Sequence, residues 1–377
     1  MDQVTENTPQ SQINGDQDLT AAWDAPLIVT VCEHCDWSFL LPAGSLPQTC
    51  PHCFQAPLSA VKEELQEMTY LKPPELMLPF TLPAADLAKA IQEFASNIPF
   101  APQDLKPEIL RRRLRQLFMP MWLVDSQVQA IWQAEAGFDY EVVSHQDTYN
   151  ENRGGWSSRE VKEGRIRWEP RLGKLTRSYQ NIAAPALEEH NLLRKSMGSY
   201  NLAEARPYHP HGIENSFVRL PNRSNEDSWP EAQPAIQAAA AEECRRAASA
   251  DHIRQFSWKP EFKQLNWTLL LLPLYTSYYL DDDEKPQPVL FHGQTGRVHG
   301  IRKASMKRAK RAALNVLGIA VFVFLISLIL AAASLLAPPI LALGVLGLVV
   351  ALLVAAGSAL PIATVWWFNR DQKTQGM

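Results

Sequence analysis

Positive charge is absent from the beginning of this 377-residue chain. The first 61 residues contain no lysine or arginine, whereas seven of them are acidic. Over the whole chain 36 basic residues stand against 40 acidic ones, so the net charge is only −4. Because attraction between phosphates and basic side chains dominates nucleic-acid affinity, this balance excludes a globally basic nucleic-acid-binding protein.

Charge of either sign is missing from a long stretch near the C-terminal end. Residues 312–369 are uncharged and rich in leucine, alanine, valine and isoleucine, although the mean hydropathy of the chain is −0.19. A membrane-spanning helix needs about 20 apolar residues, so two spans fit and three do not. We predict spans over residues 312–336 and 340–367, separated by Pro338 and Pro339. A buried hairpin of a soluble protein is the alternative, but core helices are rarely apolar on every face.

The residues that flank the two predicted spans set their expected orientation. Six basic residues precede the first span in a juxtamembrane segment over residues 301–311, and Arg370 and Lys373 follow the second. Positive residues mark cytoplasmic flanks, and Trp366 and Trp367 fit the aromatic belt at a membrane surface. The chain does not begin with a charged region followed by an apolar one, so we expect no cleavable signal peptide. The pattern predicts a hairpin in an inner (cytoplasmic) membrane, with both termini in the cytoplasm.

Polar side chains are few within the predicted spans, and none is ionisable. Transport proteins expose ionisable groups along their path, so this hairpin is predicted to be an anchor or an oligomerisation element. Gly344, Gly347 and the many alanines permit close helix packing.

Four of the five cysteines form the strongest chemical pattern in the chain, two CxxC pairs separated by fourteen residues. The predicted metal ligands are Cys32, Cys35, Cys50 and Cys53. Two such pairs place four thiolates around one ion, and Zn²⁺ accepts that tetrahedral geometry. With no open coordination position, the one zinc per chain is predicted to be structural. Iron in a rubredoxin-like site, or a redox or disulfide role, is the alternative, although cytoplasmic thiols are kept reduced.

Other histidines and cysteines lack a comparable pattern. His34 and His52 lie inside the two CxxC pairs, as alternative ligands or as exposed turn residues. Cys244 is isolated in an alanine-rich segment and is predicted to be a small packing residue. His209 and His211 could join His190 in a metal site, but no carboxylate stands at a supporting spacing, so a surface loop is predicted.

Sequence motifs of catalysis are also missing. The acidic residues 281–284 lack the spaced ligands and glycine of a calcium loop and predict a loop tip. Residues 293–296 lack the lysine of a phosphate-binding loop and predict a hairpin turn. Neither GxSxG nor HExxH occurs.

The middle of the chain predicts an α+β body. Helices are expected over residues 84–96, 107–117 and 235–249. Strands are expected over residues 118–132, 138–142, 165–169, 269–280 and 287–292. The first two strands would form a hairpin turned at Ala136 and Gly137, with a polar excursion over residues 145–164. Residues 118–122 and 271–275 both carry a proline with an aromatic residue two positions on, which predicts two related strand units.

The second predicted helix carries a group of arginines. They are Arg111, Arg112, Arg113 and Arg115. A solvated helix face is the simplest interpretation, and contact with anionic lipid or RNA is the alternative.

These features together resemble a bacterial family of membrane proteins known as TFIIB-type zinc-ribbon-containing proteins. The resemblance runs with gaps from about residue 30 to 300. It rests on the two CxxC pairs and on short motifs at residues 78–80, 100–102, 119–125, 167–170, 271–275 and 293–296. Tyr275 replaces the tryptophan usual at its position. The resemblance implies a recruiting or scaffold role beside ESCRT-III-like or phage-shock-type membrane-remodelling proteins.

The predicted fold is therefore α+β, with an N-terminal zinc ribbon, a β-rich body and a C-terminal transmembrane hairpin. Its predicted domains are a disordered leader (1–24), the ribbon (25–60), the cytoplasmic body (61–300), the juxtamembrane segment (301–311) and the hairpin with a short tail (312–377). The predicted function is a non-enzymatic adaptor that binds the lipid bilayer and recruits cytoplasmic and membrane proteins. A membrane-tethered nucleic-acid-binding protein is the second hypothesis, which the acidic ribbon disfavours, and an enzyme with a dispersed site is the third.

Overall fold

The computed structural model describes residues 15–61, 72–150, 155–333 and 341–375 and has a mixed α+β fold. Its strands are β1 (Leu27–Cys32), β2 (Ser38–Pro42), β3 (Leu58–Ala60), β4 (Leu76–Met77), β5 (Arg115–Asn150), β6 (Gly155–Pro185), β7 (Arg206–Pro207), β8 (Ser216–Arg219), β9 (His252–Leu280), β10 (Pro286–His292) and β11 (Val298–Gly300). Its helices are α1 (Gly15–Trp23), α2 (Ala84–Ala95), α3 (Pro107–Arg112), α4 (His190–Met197), α5 (Asn225–Ala247), α6 (Met306–Ala333), α7 (Leu341–Gly357) and α8 (Leu360–Gln375). The predicted α+β class is confirmed.

The described residues divide into two compact units. Unit 1 comprises the described parts of Met1–Pro120, Asn191–Leu220 and Leu271–Met377. Unit 2 comprises those of Met121–His190 and Pro221–Leu270. Strands β5 and β9 contribute residues to both. The four cysteines and the apolar C-terminal helices all belong to unit 1.

Unit 1 joins the N-terminal strands to strands from distant parts of the chain. β1 pairs antiparallel with β2 and β3, and β2 pairs antiparallel with β8 through Phe39↔Arg219 and Leu40↔Val218. β8 in turn runs parallel to the start of β5. The strands of the ribbon predicted over residues 25–60 are therefore part of a larger sheet.

The strands at the other end of unit 1 agree with the sequence patterns. The predicted return strand is found as β10, which pairs antiparallel with β9 from Pro286↔Leu280 to His292↔Leu274. The predicted turn over residues 293–296 connects β10 to β11, with the His292 N–H bonded to the Arg297 carbonyl at 2.8 Å. However, β5 and β9 are neighbouring strands of one sheet. The segments 118–122 and 271–275, predicted as two related strand units, thus lie in neighbouring strands of one sheet.

The first buried cluster of unit 1 explains why residues near the N-terminus are helical. Leu19 and Trp23 of α1 pack into the same core as Leu27, Leu40 and Phe118. Burying these two side chains supplies the apolar stabilisation that a short isolated helix lacks. The predicted disordered leader is therefore wrong for its last part, and residues 1–14 lie outside the described residues.

The second buried cluster of unit 1 brings α2 and α3 together with the C-terminal helices. Ile91 of α2, Leu110 of α3, Ala309 of α6 and Val365 of α8 all belong to it. α2 agrees with the helix predicted over residues 84–96. The helix predicted over residues 107–117 is shorter, because α3 ends at Arg112 and the following residues enter β5.

Unit 2 is built on a long antiparallel hairpin of β5 and β6. The strands pair from Met121↔Pro185 to Asn150↔Gly155, with an irregularity between Val124 and Ser126. Val128, Ala130 and Tyr179 of the hairpin form a buried core with Ile236 and Ala240 of α5. The alanines of α5 allow this close packing of a helix on a sheet. α5 begins ten residues before the helix predicted there, where the Ser224 hydroxyl accepts a hydrogen bond from the Asp227 N–H.

The turn predicted at Ala136 and Gly137 does not exist, because β5 runs straight through both residues. Gly137 serves close packing instead. A Cβ atom there would lie 2.8 Å from Ile166 Cγ2 and 2.9 Å from a ring carbon of Trp168. The predicted polar excursion over residues 145–164 is likewise wrong for its described parts, which pair as strands.

Two helical stretches at the C-terminal end are long and apolar enough to cross a membrane. They run over Met306–Ala333 and Leu341–Gln372, and about one-tenth of each most apolar window is buried. The juxtamembrane residues from Met306 onward already belong to α6. The predicted break at Pro338 and Pro339 lies outside the described residues.

Small residues bring α6 and α7 close together. A Cβ atom at Gly344 would lie 2.8 Å from the backbone nitrogen of Ala331, and one at Gly347 would lie 2.9 Å from Ser327 Cβ. The two glycines predicted to permit close helix packing therefore provide it within one chain.

Candidate metal centre

The four predicted ligands lie together in unit 1. Cys32 ends β1, Cys35 lies in the turn before β2, and Cys50 and Cys53 lie in the loop between β2 and β3. Their four sulphur atoms all lie within 4.8 Å of one another. Cys32 Sγ is 3.6 Å from Cys53 Sγ, and Cys35 Sγ is 3.7 Å from Cys50 Sγ. All four are free thiols.

These distances fit a tetrahedral metal ion. Zn–S bonds of about 2.3 Å at tetrahedral angles place neighbouring sulphurs roughly 3.8 Å apart. A disulfide needs an S–S distance of about 2.05 Å. Both of the sulphur–sulphur distances given above are far longer than this. The donor set of four thiols thus fits one ion, and the geometry leaves no place for a further protein ligand.

The two CxxC turns have the same local geometry. In the first turn the Asp36 N–H bonds to the Cys32 carbonyl at 2.9 Å, and in the second the Phe54 N–H bonds to the Cys50 carbonyl at 3.2 Å. Asp36 and Phe54 both adopt left-handed backbone conformations, with φ of 58° and 56°. The residue after each second cysteine therefore reverses the chain and directs two sulphurs to one point.

Burial opposes ionisation of the free thiols. It raises the pKa of Cys35 well above the usual range of a thiol and that of Cys50 to about 12. At Cys32 burial acts in the same direction, but hydrogen bonds from the His34 and Cys35 N–H groups lower the pKa. A divalent cation would stabilise all four thiolates, because a coordinating thiol is deprotonated.

An aromatic stack connects the two turns, because Trp37 follows the first turn and His52 lies inside the second. The Trp37 ring lies parallel to the His52 ring at 3.5 Å between centroids, and the Arg219 guanidinium lies 4.6 Å from the Trp37 ring. His52 thus contacts the ribbon through its ring face and is not part of the sulphur cluster. His34 is exposed. The interpretation of both histidines as turn residues rather than ligands fits this arrangement.

The second turn is held by residues that the sequence did not single out for this role. Arg115 Nη1 donates to the Thr49 carbonyl at 2.7 Å, and Thr276 Oγ1 donates to the Pro51 carbonyl at 2.9 Å. The Phe54 ring stacks on Tyr278 at 4.4 Å. Burial lowers the pKa of Arg115. These contacts tie the second CxxC turn to β5 and β9.

The predicted arginine group is divided by the structure. Arg113 forms an ion pair with Asp104 and donates to the Tyr278 carbonyl at 3.2 Å, while Arg115 holds the second turn. Arg111 and Arg112 are exposed. A single solvated face is therefore wrong for two of the four arginines.

The other candidate residues lie apart from the sulphur cluster. Cys244 is 2% exposed within α5, as expected of a packing residue. His209 stacks on His211, which pairs with Glu214 in an exposed loop. The acidic residues 281–284 form the predicted loop tip between β9 and β10. Among the described residues, the four cysteines are the only group placed so that it could hold a metal ion.

Two cavities in the described part of unit 1 lie away from the cysteines. The larger, of about 560 Å³, is lined mainly by α2 and the residues around β11. The smaller, of about 300 Å³, is lined by residues that include Phe80, Phe118 and His209. Neither contains a cysteine in its lining, so the metal centre does not adjoin them.

Comparisons with protein-family models, curated proteins and solved structures find no match to this chain. The family resemblance inferred from the sequence motifs therefore stays a prediction. What stands independently of it is the four-cysteine cluster and the two apolar helices.

Proposed function

We propose that this protein is a non-enzymatic, membrane-anchored adaptor. One structural Zn²⁺, held by Cys32, Cys35, Cys50 and Cys53, fixes the N-terminal ribbon, and the C-terminal hairpin spans the inner membrane with both termini in the cytoplasm. One observation carries the proposal. The four-thiol cluster and both apolar helices belong to the same compact unit, unit 1.

A structural role for the metal is supported by its surroundings. Four protein ligands leave no coordination position for substrate or water. The contacts of Arg115, Thr276 and Tyr278 connect the second CxxC turn to β5 and β9 rather than to a cleft. Metal binding would then stabilise the attachment of the ribbon to the rest of unit 1.

A firm connection between the strands of unit 1 and the apolar helices supports the anchor role. Asp281 Oδ2 accepts a hydrogen bond from Lys303 Nζ at 3.0 Å, and Asp282 Oδ2 accepts one from the Lys307 N–H at 2.9 Å. The Asn369 side chain bonds to both the N–H and the carbonyl of Ala304, at 2.7 and 3.0 Å. The acidic tip thus holds the start of α6, and α8 is fastened to the residues before it.

Protein partners are proposed rather than nucleic acid because of charge. The ribbon has no basic residue among the first 61, and Arg113 and Arg115 are engaged within unit 1. Partners of the membrane-remodelling type, ESCRT-III-like or phage-shock, remain the class that the sequence resemblance implies.

Affinity purification from crosslinked membranes tests the proposal. Wild type, Cys50→Ser and Cys244→Ala would be purified as full chains with and without nuclease treatment, with partners identified by mass spectrometry and zinc measured. Cys50→Ser should lose zinc and partners but stay inserted in the membrane. Cys244→Ala removes a thiol outside the cluster and should keep its zinc, its partners and its membrane insertion. Retention of the same partners by zinc-free Cys50→Ser would contradict the adaptor role of the ribbon. Loss of every wild-type partner on nuclease treatment would favour nucleic acid.

A further inference from the structure

The short helix α3 shares a buried cluster with the ends of the two apolar helices, although it precedes α6 by almost two hundred residues. Its buried Leu110 shares a core cluster with Ala309 of α6 and Val365 of α8. Hydrogen bonds fasten the loop before α3 to the beginning of α6. The Ser305 N–H bonds to the Phe100 carbonyl at 2.9 Å, and Arg308 Nη1 donates to the Ala101 carbonyl.

The level of α3 along the apolar helices follows from its neighbours. Ala309 stands three residues before the uncharged stretch begins, and Val365 directly precedes Trp366 and Trp367, which are 49% and 61% exposed. Exposed tryptophans at the end of a span mark the boundary between hydrocarbon and headgroups. Since the headgroup layer is about 5–7 Å thick on each side, α3 lies at headgroup depth if the helices span a bilayer.

The exposed charges at this level are predominantly positive. Lys106, Arg111 and Arg112 are exposed, and none of them forms an ion pair within the described residues. Lys310 and Arg311 on α6 are also exposed, and neither forms an ion pair with another described residue. Glu108 is the one exposed acid on α3. By contrast, the neighbouring Arg113 is held by Asp104 and covers the Tyr278 ring at 4.4 Å.

We propose that Arg111 and Arg112 of α3, with Lys106, bind the phosphate groups of anionic phospholipids in the cytoplasmic leaflet. This inference rests on the proposed membrane insertion and adds a second contact with the bilayer, made by the body rather than by the spans. Guanidinium groups suit this role because they bind phosphate oxygens with two parallel hydrogen bonds. Arg113 then serves as the internal fastening that fixes the orientation of α3, and the two arginines before it face the lipid.

RNA is the competing polyanion for these arginines, and the surroundings favour lipid. The exposed Trp366 and Trp367 directly follow Val365, which shares a buried cluster with Leu110 of α3, and a bilayer would cover these two tryptophans. A membrane with anionic lipids attracts each nearby basic residue by about 1 kcal/mol, roughly a fivefold gain in binding.

Lipid retention by the purified full-length protein tests this surface. The protein would be reconstituted in bilayers of phosphatidylcholine mixed with phosphatidylglycerol, extracted gently, and the retained lipids counted by native mass spectrometry. Arg111→Gln with Arg112→Gln should lower phosphatidylglycerol retention by about tenfold or more. The matched control is Arg165→Gln with Arg167→Gln, which makes the same charge change on exposed residues of β6 and should retain the wild-type amount. A headgroup-photoreactive phosphatidylglycerol should crosslink to the peptide containing residues 106–112.

The outcomes separate this inference from the proposed function. Failure of the protein to resist alkaline extraction from membranes would overturn the membrane anchor and this inference with it. Normal insertion with equal lipid retention by both double variants would overturn the α3 site alone. Displacement of the lipid by millimolar inorganic phosphate would assign the site to free phosphate, and salt-sensitive RNA binding that depends on the same arginines would assign it to RNA; either result overturns the lipid assignment.

Discussion

The two CxxC turns have the same spacing and the same backbone geometry, but they are supported in different ways. Next to the first turn, Trp37 contacts only the ribbon and its neighbouring strand β8 in these stacks, through His52 of the second turn and Arg219. The second is bound to β5 and β9 by Arg115, Thr276 and Tyr278. A metal ion joined to all four sulphurs would therefore link the first turn to a second turn that is also bound to β5 and β9.

Removing the proposed zinc ion should change the two turns more than any substitution. Structural zinc sites of this type contribute about 10 kcal/mol or more of apparent binding free energy near neutral pH. With the metal chelated, the first turn should lose its protection from hydrogen exchange, while the second turn keeps part of it through its hydrogen bonds to Arg115 and Thr276. Hydrogen exchange followed by mass spectrometry, with and without chelator, measures both turns in one sample. Equal loss at both turns would show that the contacts of the second turn do not hold it independently.

Removing the aromatic support of the second turn should have the next largest effect. Tyr278→Ala removes the ring that Phe54 stacks on and that the Arg113 guanidinium covers. We expect the free energy of unfolding to fall by about 2–4 kcal/mol, as for other large aromatic truncations in packed sites. Chemical denaturation of the zinc-loaded protein in detergent measures this loss. His34→Ala, an exposed residue of the first turn, is the control and should change the free energy by less than about 0.5 kcal/mol.

Removing the polar support of the second turn should cost less. Arg115→Met keeps most of the apolar stem but leaves the Thr49 carbonyl without the 2.7 Å hydrogen bond from the guanidinium. A lost hydrogen bond to a charged group costs about 1.5–3 kcal/mol. Zinc release to a chromophoric chelator should accelerate, since the second turn opens more often. Arg111→Met, an exposed arginine of α3, should leave the release rate unchanged.

The contrast between the local geometry of the turns and their distant supports also explains which parts of the site the sequence could predict. The cysteine spacing predicted the four-sulphur cluster because both CxxC turns are local and need only their own backbone geometry. The residues that hold the second turn come from β5 and β9, more than sixty positions away in the chain, so their role depends on strand pairing that no local pattern contains. Arg115 illustrates this, because its neighbouring arginines predicted a helix whereas pairing with β8 makes the following residues a strand.

The same reasoning applies to the larger elements of the fold. Helix α2 and strand β10 were predicted well, since each has a regular apolar period bounded by proline or glycine residues. Gly137 was interpreted as a turn residue, although its lack of a side chain serves the close approach of Ile166 and Trp168. Glycine is used for both purposes, and only the structure of the partner strand distinguishes them.

Glycine substitutions made in both turns should have opposite effects, and the one at Asp36 gives the smallest expected change. Asp36 and Phe54 are both left-handed, and glycine adopts this conformation without the steric cost that other residues meet. Asp36→Gly should therefore raise the free energy of unfolding by at most about 1 kcal/mol, because the exposed carboxylate contributes little packing.

Phe54→Gly gains the same backbone relief but loses the stack on Tyr278, so the free energy should fall by about 2 kcal/mol or more. Chemical denaturation of both zinc-loaded variants beside wild type provides the measurement. If both substitutions stabilised the protein, the Phe54 stack would be dispensable, and backbone conformation alone would govern the two turns. If Asp36→Gly raised the free energy of unfolding and Phe54→Gly lowered it, the difference between the two turns would come from these two side chains. The backbones of the two turns are otherwise equivalent.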